Sequence, residues 1–504
     1  MGTLDWVVIG IFFLALIGII VWVVKQKQND SADYFLGGRD ATWLAIGASI
    51  FASNIGSEHL IGLAGAGASS GMAMAHWEIQ GWMILILGWV FVPFYSRSMV
   101  YTMPEFLERR YNPQSRTILS VISLISYVLT KVAVTVYAGG LVFQQVFGIK
   151  ELWGIDFFWI AAIGLVVLTA LYTIFGGMKS VLYTSVLQTP ILLLGSLIIL
   201  VLGFKELGGW DEMMSICSAV TVNEYGDTMT QLIRDNNDPN FPWLGALVGS
   251  AIIGFWYWCT DQFIVQRVLS GKNEKEARRG TIFGAYLKLL PVFLFLIPGM
   301  IAFALHQKYI GAGGEGFLPM LANGTANADA AFPTLVAKLL PAGVKGLVVC
   351  GILAALMSSL ASLFNSSAML FTIDFYKRFR PETPEKKLVG IGQIATVVIV
   401  ILGILWIPIM RSVGDVLYTY LQDVQSVLAP GIAAAFLLGI CWKRTSAQGG
   451  MWGLISGMVI GLTRLGAKVY YSNAGEVADS TFKYLFYDMN WLFFCGWMFL
   501  FCII

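Results

Sequence analysis

The stretch TWLAIGASIFASNIGSEHLIGLAGAGA, residues 42–68, decides how the chain is read. It is apolar over a length that carries an α-helix across roughly 30 Å of hydrocarbon. Yet Asn54, Glu58 and His59 stand in its middle. An ionisable group near a bilayer centre is costly, so each one is a functional candidate. Gly47, Gly56, Gly62, Gly65 and Gly67 flank them, and that many glycines weaken a helix and permit close packing or local unwinding. Asn54 and Glu58 are four apart and share a helix face, as do Ile55 and His59. A helix interrupted here, with its carbonyls freed, would build an ion site at the membrane midplane. The alternative is a glycine-rich packing interface that holds a satisfied polar pair.

Outward from this segment the same texture continues. The 504 residues are 57% apolar and 12% charged, and apolar runs near span length recur from end to end. In lipid a helix satisfies its own backbone, which an open loop or sheet edge does not. The expectation is an all-α integral membrane protein of about thirteen helices. They fall near 4–24, 42–68, 74–99, 116–147, 153–176, 183–204, 242–266, 280–306, 346–376, 388–410, 416–441, 448–471 and 484–504. The first run has no basic stretch before it and no small-residue cleavage site after it, so it reads as a span rather than a cleaved signal. The chain stops at Ile504 inside an apolar run, and a further terminal segment is expected.

Net charge, +2, and the lack of a polybasic tail give no reason to expect nucleic acid as a partner. Six cysteines, without CxxC spacing and mostly in apolar segments, read as small core residues rather than as a metal or disulfide framework. Counted from an outside N-terminus, inward loops carry 19 basic residues and outward loops nine. Positive residues favour the cytoplasmic side, which puts the N-terminus outside, in a plasma (cytoplasmic) membrane. Two longer outward loops, about 205–241 and 307–345, are expected to carry short helices.

Other polar residues sit where a bilayer disfavours them. His76, Trp77, Glu78 and Gln80 share one span. A carboxylate beside aromatic rings suits a sugar, whose hydroxyls donate hydrogen bonds while its C–H faces stack, although Trp77 equally fits an interfacial aromatic. The segment WYWCTDQ, residues 256–262, is aromatic and then polar. Lys288 is about eight residues into its span, where it would pair with a carboxylate, bind substrate oxygen or snorkel to the surface. Ser358, Ser359, Ser362, Ser366 and Ser367 recur at spacings that favour tight helix packing, and hydroxyls also suit a small hard cation. No Walker loop, HExxH, GxSxG or dinucleotide fingerprint occurs. With neither a nucleotide-hydrolysing module nor a candidate nucleophile, the expected job is transport on a gradient, with no cofactor and no enzymatic chemistry.

At this point the residues match a known family. ASIFASNIGSEHLIG (48–62), WYWCTDQFIVQR (256–267), AALMSSLASLFNS (354–366) and FLLGICWKR (436–444) resemble the sodium/glucose cotransporters of the solute:sodium symporter family. Sodium/myo-inositol transporters of the same branch are nearly as similar, through SNIGSEH (53–59) among other blocks. The likeness runs in order from about residue 33 to 470. It implies a LeuT-like fold, with a first inverted repeat at 42–204 and a second at 242–441. The helix at 4–24 and those at 448–504 would be additions outside the repeat.

The resemblance also implies ligand positions. Sodium would be held by the carbonyls of Ala52, Ile55 and Ala355 and the hydroxyls of Ser358 and Ser359. A sugar would meet Asn54, His59, Glu78, Lys288 and Gln422. Tyr257 would form the inner gate beneath it, with Trp258 alongside, and Leu63, Trp77 and Tyr418 the outer gate. Two departures stand out. Gly254 replaces a hydrogen-bonding residue, so one sugar contact is expected to be lost. Ser185 and Ala361 lack the groups of a second sodium site, which favours one sodium per turnover. The expected partners are therefore sodium, a monosaccharide of glucose or galactose type and the lipid bilayer, with no nucleotide. The rivals are a sodium-coupled myo-inositol or polyol symporter and a sugar-gated sensor or leak channel.

Overall fold

The protein is described by a computed structural model covering residues 1–26, 30–56, 58–321, 324–413, 417–473 and 479–504. The described chain is helical almost throughout; its strands are the two-residue pair Glu151–Leu152 and Ile155–Asp156. Eight of the described helical runs are long and apolar enough to cross a membrane, or nine if the bent pair Thr481–Asp488 and Trp491–Ile503 is one span. Several of the expected spans are broken, bent or fused within these runs.

Each departure has a local cause. The expected loop near 177–182 is absent, and one helical run, Phe157–Leu207, covers both neighbouring spans. It turns back at Gly177, whose φ of +54° and ψ of −151° lie where side-chain-bearing residues are strained. The span expected at 484–504 is two segments, Thr481–Asp488 and Trp491–Ile503, meeting at 110°. Extended backbone at Met489 and Asn490 makes that bend, and the Asn490 side chain accepts from Leu492 N at 2.8 Å to start the second segment. Both long loops expected to face outward carry short helices, Trp210–Ser218 and Ala331–Leu339.

The serine-bearing helix, Val344–Phe379, is the most enclosed of the spans and Thr3–Val24 the least. The latter presents Leu4, Val7, Ile11, Leu14 and Ile17 outward, an apolar face that suits lipid and not water. Asp5 anchors this rim helix. Its carboxylate accepts from Gly343 N at 2.7 Å and Gly346 N at 2.8 Å, the unpaired N–H groups at the start of the serine-bearing helix. Around that central helix pack the Gly177 hairpin and the half-helix Trp43–Asn54, which also lies along Glu274–Leu287. Gly47 and Gly280 make the last approach possible, since a Cβ on Gly280 would lie 2.6 Å from Ile46 Cβ.

Candidate functional site

The first half-helix stops at Asn54. Ile55 is extended (ψ 108°), and the helix resumes at Glu58 as a wide turn, Glu58–Leu63, that continues into Ala64–Ser70. Backbone carbonyls at such a stop have no intrahelical donor. Ser359, from the serine-bearing helix, reaches across with its hydroxyl 2.8 Å from Ser53 O and 3.3 Å from Ile55 O. Gly56 leaves the room for it, because a Cβ there would lie 3.0 Å from Ser359 Oγ. Ala52 and Ala355 are buried in the two helices that cross here. Ser358 faces another way. Its hydroxyl lies 3.2 Å from Ser185 Oγ, which is 3.4 Å from Ser49 Oγ. Arg267, wholly buried, donates from Nε to Ser49 at 3.1 Å, and its two terminal nitrogens have no protein partner among the described residues.

Beyond the break a second helix is interrupted too. Trp243–Phe255 runs into the turn Trp256–Thr260, Asp261 is extended, and Gln262–Leu269 follows with Asp261 as its cap. Between the two breaks lies a cavity of about 30 Å³. It is lined by Asn54, Glu58, His59, Trp77, Gln80, Ile253, Tyr257, Trp258, Lys288 and Gln425. Three of the polar groups at this wall form a connected set. Lys288 Nζ sits 2.6 Å from Glu78 Oε2 and 2.8 Å from His59 Nε2, and the same imidazole nitrogen is 3.3 Å from Glu78 Oε1. His59 Nε2 can accept from the ammonium or donate to the carboxylate, not both. The three side chains are nearly inaccessible, and the Lys288–Glu78 pair cancels its own charge. Gly81 makes this possible, since a Cβ there would collide with the Lys288 stem. Asn54 donates to Tyr257 Oη at 3.0 Å. The Tyr257 and Trp258 rings stand perpendicular with centroids 4.8 Å apart.

Three atoms in this wall have no partner among the described residues: Asn54 Oδ1, His59 Nδ1 and Gln80 Oε1. A buried polar atom left so is costly unless a ligand or water meets it. Beside Tyr257 lies a buried ion pair. Lys131 and Asp261 pair at 2.6 Å, buried, with the ammonium 4.8 Å from the Tyr257 ring centroid and 5.1 Å from that of Tyr127. Tyr127 Oη also donates to Asp261.

Of the expected sugar set, the structure brings Asn54, His59, Tyr257, Trp258 and Lys288 to one cavity, with Glu78 bonded to two of its wall residues. Trp77 joins them, and Leu63 is buried on the resumed half of the broken helix. Tyr418 and Gln422 lie on Leu417–Cys441 at positions whose side chains are outside the described residues. Sequence reasoning did not place Gln80, Glu58 and Gln425 in the wall. Gln80 had a signal: a Cβ on Gly254 would lie 2.5 Å from Gln80 Oε1, so the missing side chain at Gly254 makes room for this amide. Lys131 is a charge inside an apolar span, and its partner is 130 residues away.

The model of the sodium:solute symporter family matches residues 34–457. Sodium/myo-inositol cotransporter 2 of Homo sapiens is 39% identical over 475 residues, covering 92% of this chain and 69% of that protein. Sodium/glucose cotransporter 2 of Rattus norvegicus is 38% identical over 512 residues, covering 97% and 75%. Among solved structures, a substrate-bound, outward-open Na+-coupled sialic acid symporter superposes with a TM-score of 0.79 at 22% identity, over 100% of this chain and 96% of that one. MhsT in complex with L-phenylalanine gives 0.54 at 12% identity, over 92% and 98%. The architecture is thus the LeuT-like transporter fold. The chain belongs to the sodium:solute symporter family, as a multi-pass, sodium-coupled membrane transporter and not an enzyme.

Proposed function

We propose that this symporter couples inward sodium movement to uptake of a monosaccharide of glucose or galactose type by alternating access, one sodium per sugar. The observation that carries the reading is the wall itself. Unpartnered Asn54 Oδ1, His59 Nδ1 and Gln80 Oε1 stand beside the rings of Trp77, Tyr257 and Trp258. Polar atoms between aromatic faces fit a ring that bears hydroxyls on its rim and C–H groups on its faces. The charge-balanced Lys288–Glu78 pair supports a neutral solute over an ionic one. Glu58 and Gln425 add acceptors at the edge, and Gln422 completes the proposed sugar set. A cavity of about 30 Å³ holds a water or two, so these side chains part to admit a sugar.

Sodium would sit at the first break, among the carbonyls of Ala52, Ile55 and Ala355 and the hydroxyls of Ser358 and Ser359. Ser359 already lies between carbonyl oxygens freed by that break, which supports the assignment. One ion per turnover is favoured by Ser185 and Ala361, and by the Arg267 guanidinium one hydroxyl away from Ser185. A fixed positive charge there opposes a second cation. One ion suffices energetically. A potential of 100 mV contributes about 2.3 kcal/mol per charge, and a tenfold sodium gradient adds about 1.4 kcal/mol. Together they concentrate a neutral solute by roughly a few hundredfold.

In the cycle, outside sodium holds the broken helix against the serine-bearing helix. Sugar then enters past Leu63, Trp77 and Tyr418, the outer side closes, and Tyr257 yields on the inner side. Rocking of the helix bundles built from the inverted repeats at 42–204 and 242–441 then opens the inner side and releases sodium, in a plasma membrane with the N-terminus outside. A myo-inositol or polyol substrate is the second reading, favoured by the likeness to a sodium/myo-inositol cotransporter. Uptake of labelled glucose, galactose and myo-inositol into proteoliposomes, with and without an inward sodium gradient, tests both. Sodium-dependent accumulation of a hexose supports the first reading and of inositol alone the second. Sodium current without accumulation of any of them overturns both and favours a sensor or leak channel.

A further inference from the structure

Helix Trp491–Ile503 contributes nothing to the residues considered so far, yet its first residue touches the outer end of the cavity wall. The rings of Trp491 and Trp77 have centroids 5.6 Å apart and planes at 64°, and Trp77 lines the cavity. An apolar helix crossing a membrane has no need of such a start, and three devices hold this one in place. Arg464, wholly buried, donates to Met489 O at 2.8 Å and to Leu485 O at 3.4 Å beside the 110° bend. Its guanidinium lies 4.1 Å from the centroid of Phe494 on the next turn. Asn490 gives its amide to Pro239 O at 2.7 Å, tying the bend to the outer loop. Gly245 and Gly249 of the second broken helix let the backbone come close, for a Cβ on Gly249 would lie 2.6 Å from Leu492 O.

The same loop packs on the residues just before Trp77. Phe241 packs on His76 with ring centroids 5.4 Å apart. Arg234 donates to Ser70 O, and Met72 N donates to Met229 O at 2.7 Å. Trp77 therefore has Trp491 on one side and, on the other, His76, which the loop holds through Phe241.

We infer that Trp491 is a positioning residue of the outer gate, whose indole backs Trp77 and holds that ring over the sugar. The inference rests on reading Trp77 as an outer-gate residue. An edge-to-face aromatic pair is worth roughly a three- to tenfold change in affinity. In proteoliposomes, with whichever of glucose, galactose and myo-inositol the native protein accumulates, Trp491→Ala is expected to raise sugar KM by about that factor. The maximal rate and the sodium dependence should stay within about twofold. Trp491→Phe should restore KM, and in a Trp77→Ala background the alanine substitution at 491 should have no further effect. Trp491→Leu keeps apolar volume without a ring, and it serves if the alanine variant does not reach the membrane.

An equal effect of the 491 substitution with and without Trp77 would make Trp491 a structural residue and overturn the inference. So would an unchanged KM in Trp491→Ala and Trp491→Leu when Trp77→Ala raises it. An unchanged KM in Trp77→Ala overturns the gate reading and this inference together.

Discussion

Two helices of this protein are broken near the cavity, and they are broken differently. At the first break, Asn54 to Glu58, the carbonyls of Ser53 and Ile55 meet a neutral hydroxyl, Ser359. At the second, Asp261 is neutralised by Lys131 at 2.6 Å and bonded by Tyr127. A hydroxyl on a carbonyl leaves lone pairs for a cation, whereas a buried ion pair inside an aromatic cage leaves no charge unanswered. On the proposed function, the first break can exchange a ligand and the second is a lock beside the cavity.

The largest effect should come from opening the lock. Lys131→Met leaves Asp261 as a buried, uncompensated charge, at a cost of about 3–5 kcal/mol. The purified variant should melt well below the native protein, and Lys131→Met with Asp261→Asn should recover most of the loss. Equal melting temperatures for all three would mean that the pair holds nothing together.

Next comes the open break. Ser359→Ala should raise the sodium concentration for half-maximal uptake about tenfold, the worth of one charge-assisted contact. Sugar KM at saturating sodium should change little. An unaltered sodium dependence would remove the first break from the cation site.

A third effect sharpens the roles within the wall. Gln80→Leu should raise sugar KM by roughly three- to tenfold, because one hydrogen bond is worth about 1 kcal/mol, with sodium dependence unchanged. If KM stays at its native value, Gln80 only fills the space left by Gly254.

The smallest effect lies in the outer loop. Burial alone would raise the pKa of Asp238, but the N–H groups of Phe241 and Asn240, the Asn223 amide and Arg234 hold it below the usual carboxylate value. A depressed pKa contributes stability that is complete above the unfolded value, near 3.9, and is lost as pH falls through the folded one. The native melting temperature should therefore drop as pH is taken below about 4, and by less in Asp238→Asn. Parallel pH curves would show that this carboxylate does not hold the loop.

Much of the first break was legible, because five glycines and three polar residues inside one apolar run conflict with an intact span. The sugar wall was legible in part. His59, Glu78 and Lys288 announce themselves as charges in apolar surroundings, and they do meet. The second break was harder to read, since WYWCTDQ contains no glycine or proline. The bend at Met489 was invisible, because it depends on Arg464 bonding carbonyls more than twenty residues away.

Composition and periodicity alone determined that this chain is a helical bundle in a membrane, because only a self-satisfied backbone survives in hydrocarbon. They also marked which side chains were too costly to be idle. Tertiary structure decided which of those side chains meet. Lys131 with Asp261, Lys288 with Glu78 and Trp77 with Trp491 are each pairs from different helices. Such partners are chosen by how helices cross, through close approaches at Gly47, Gly81 and Gly249, and no local pattern records that choice.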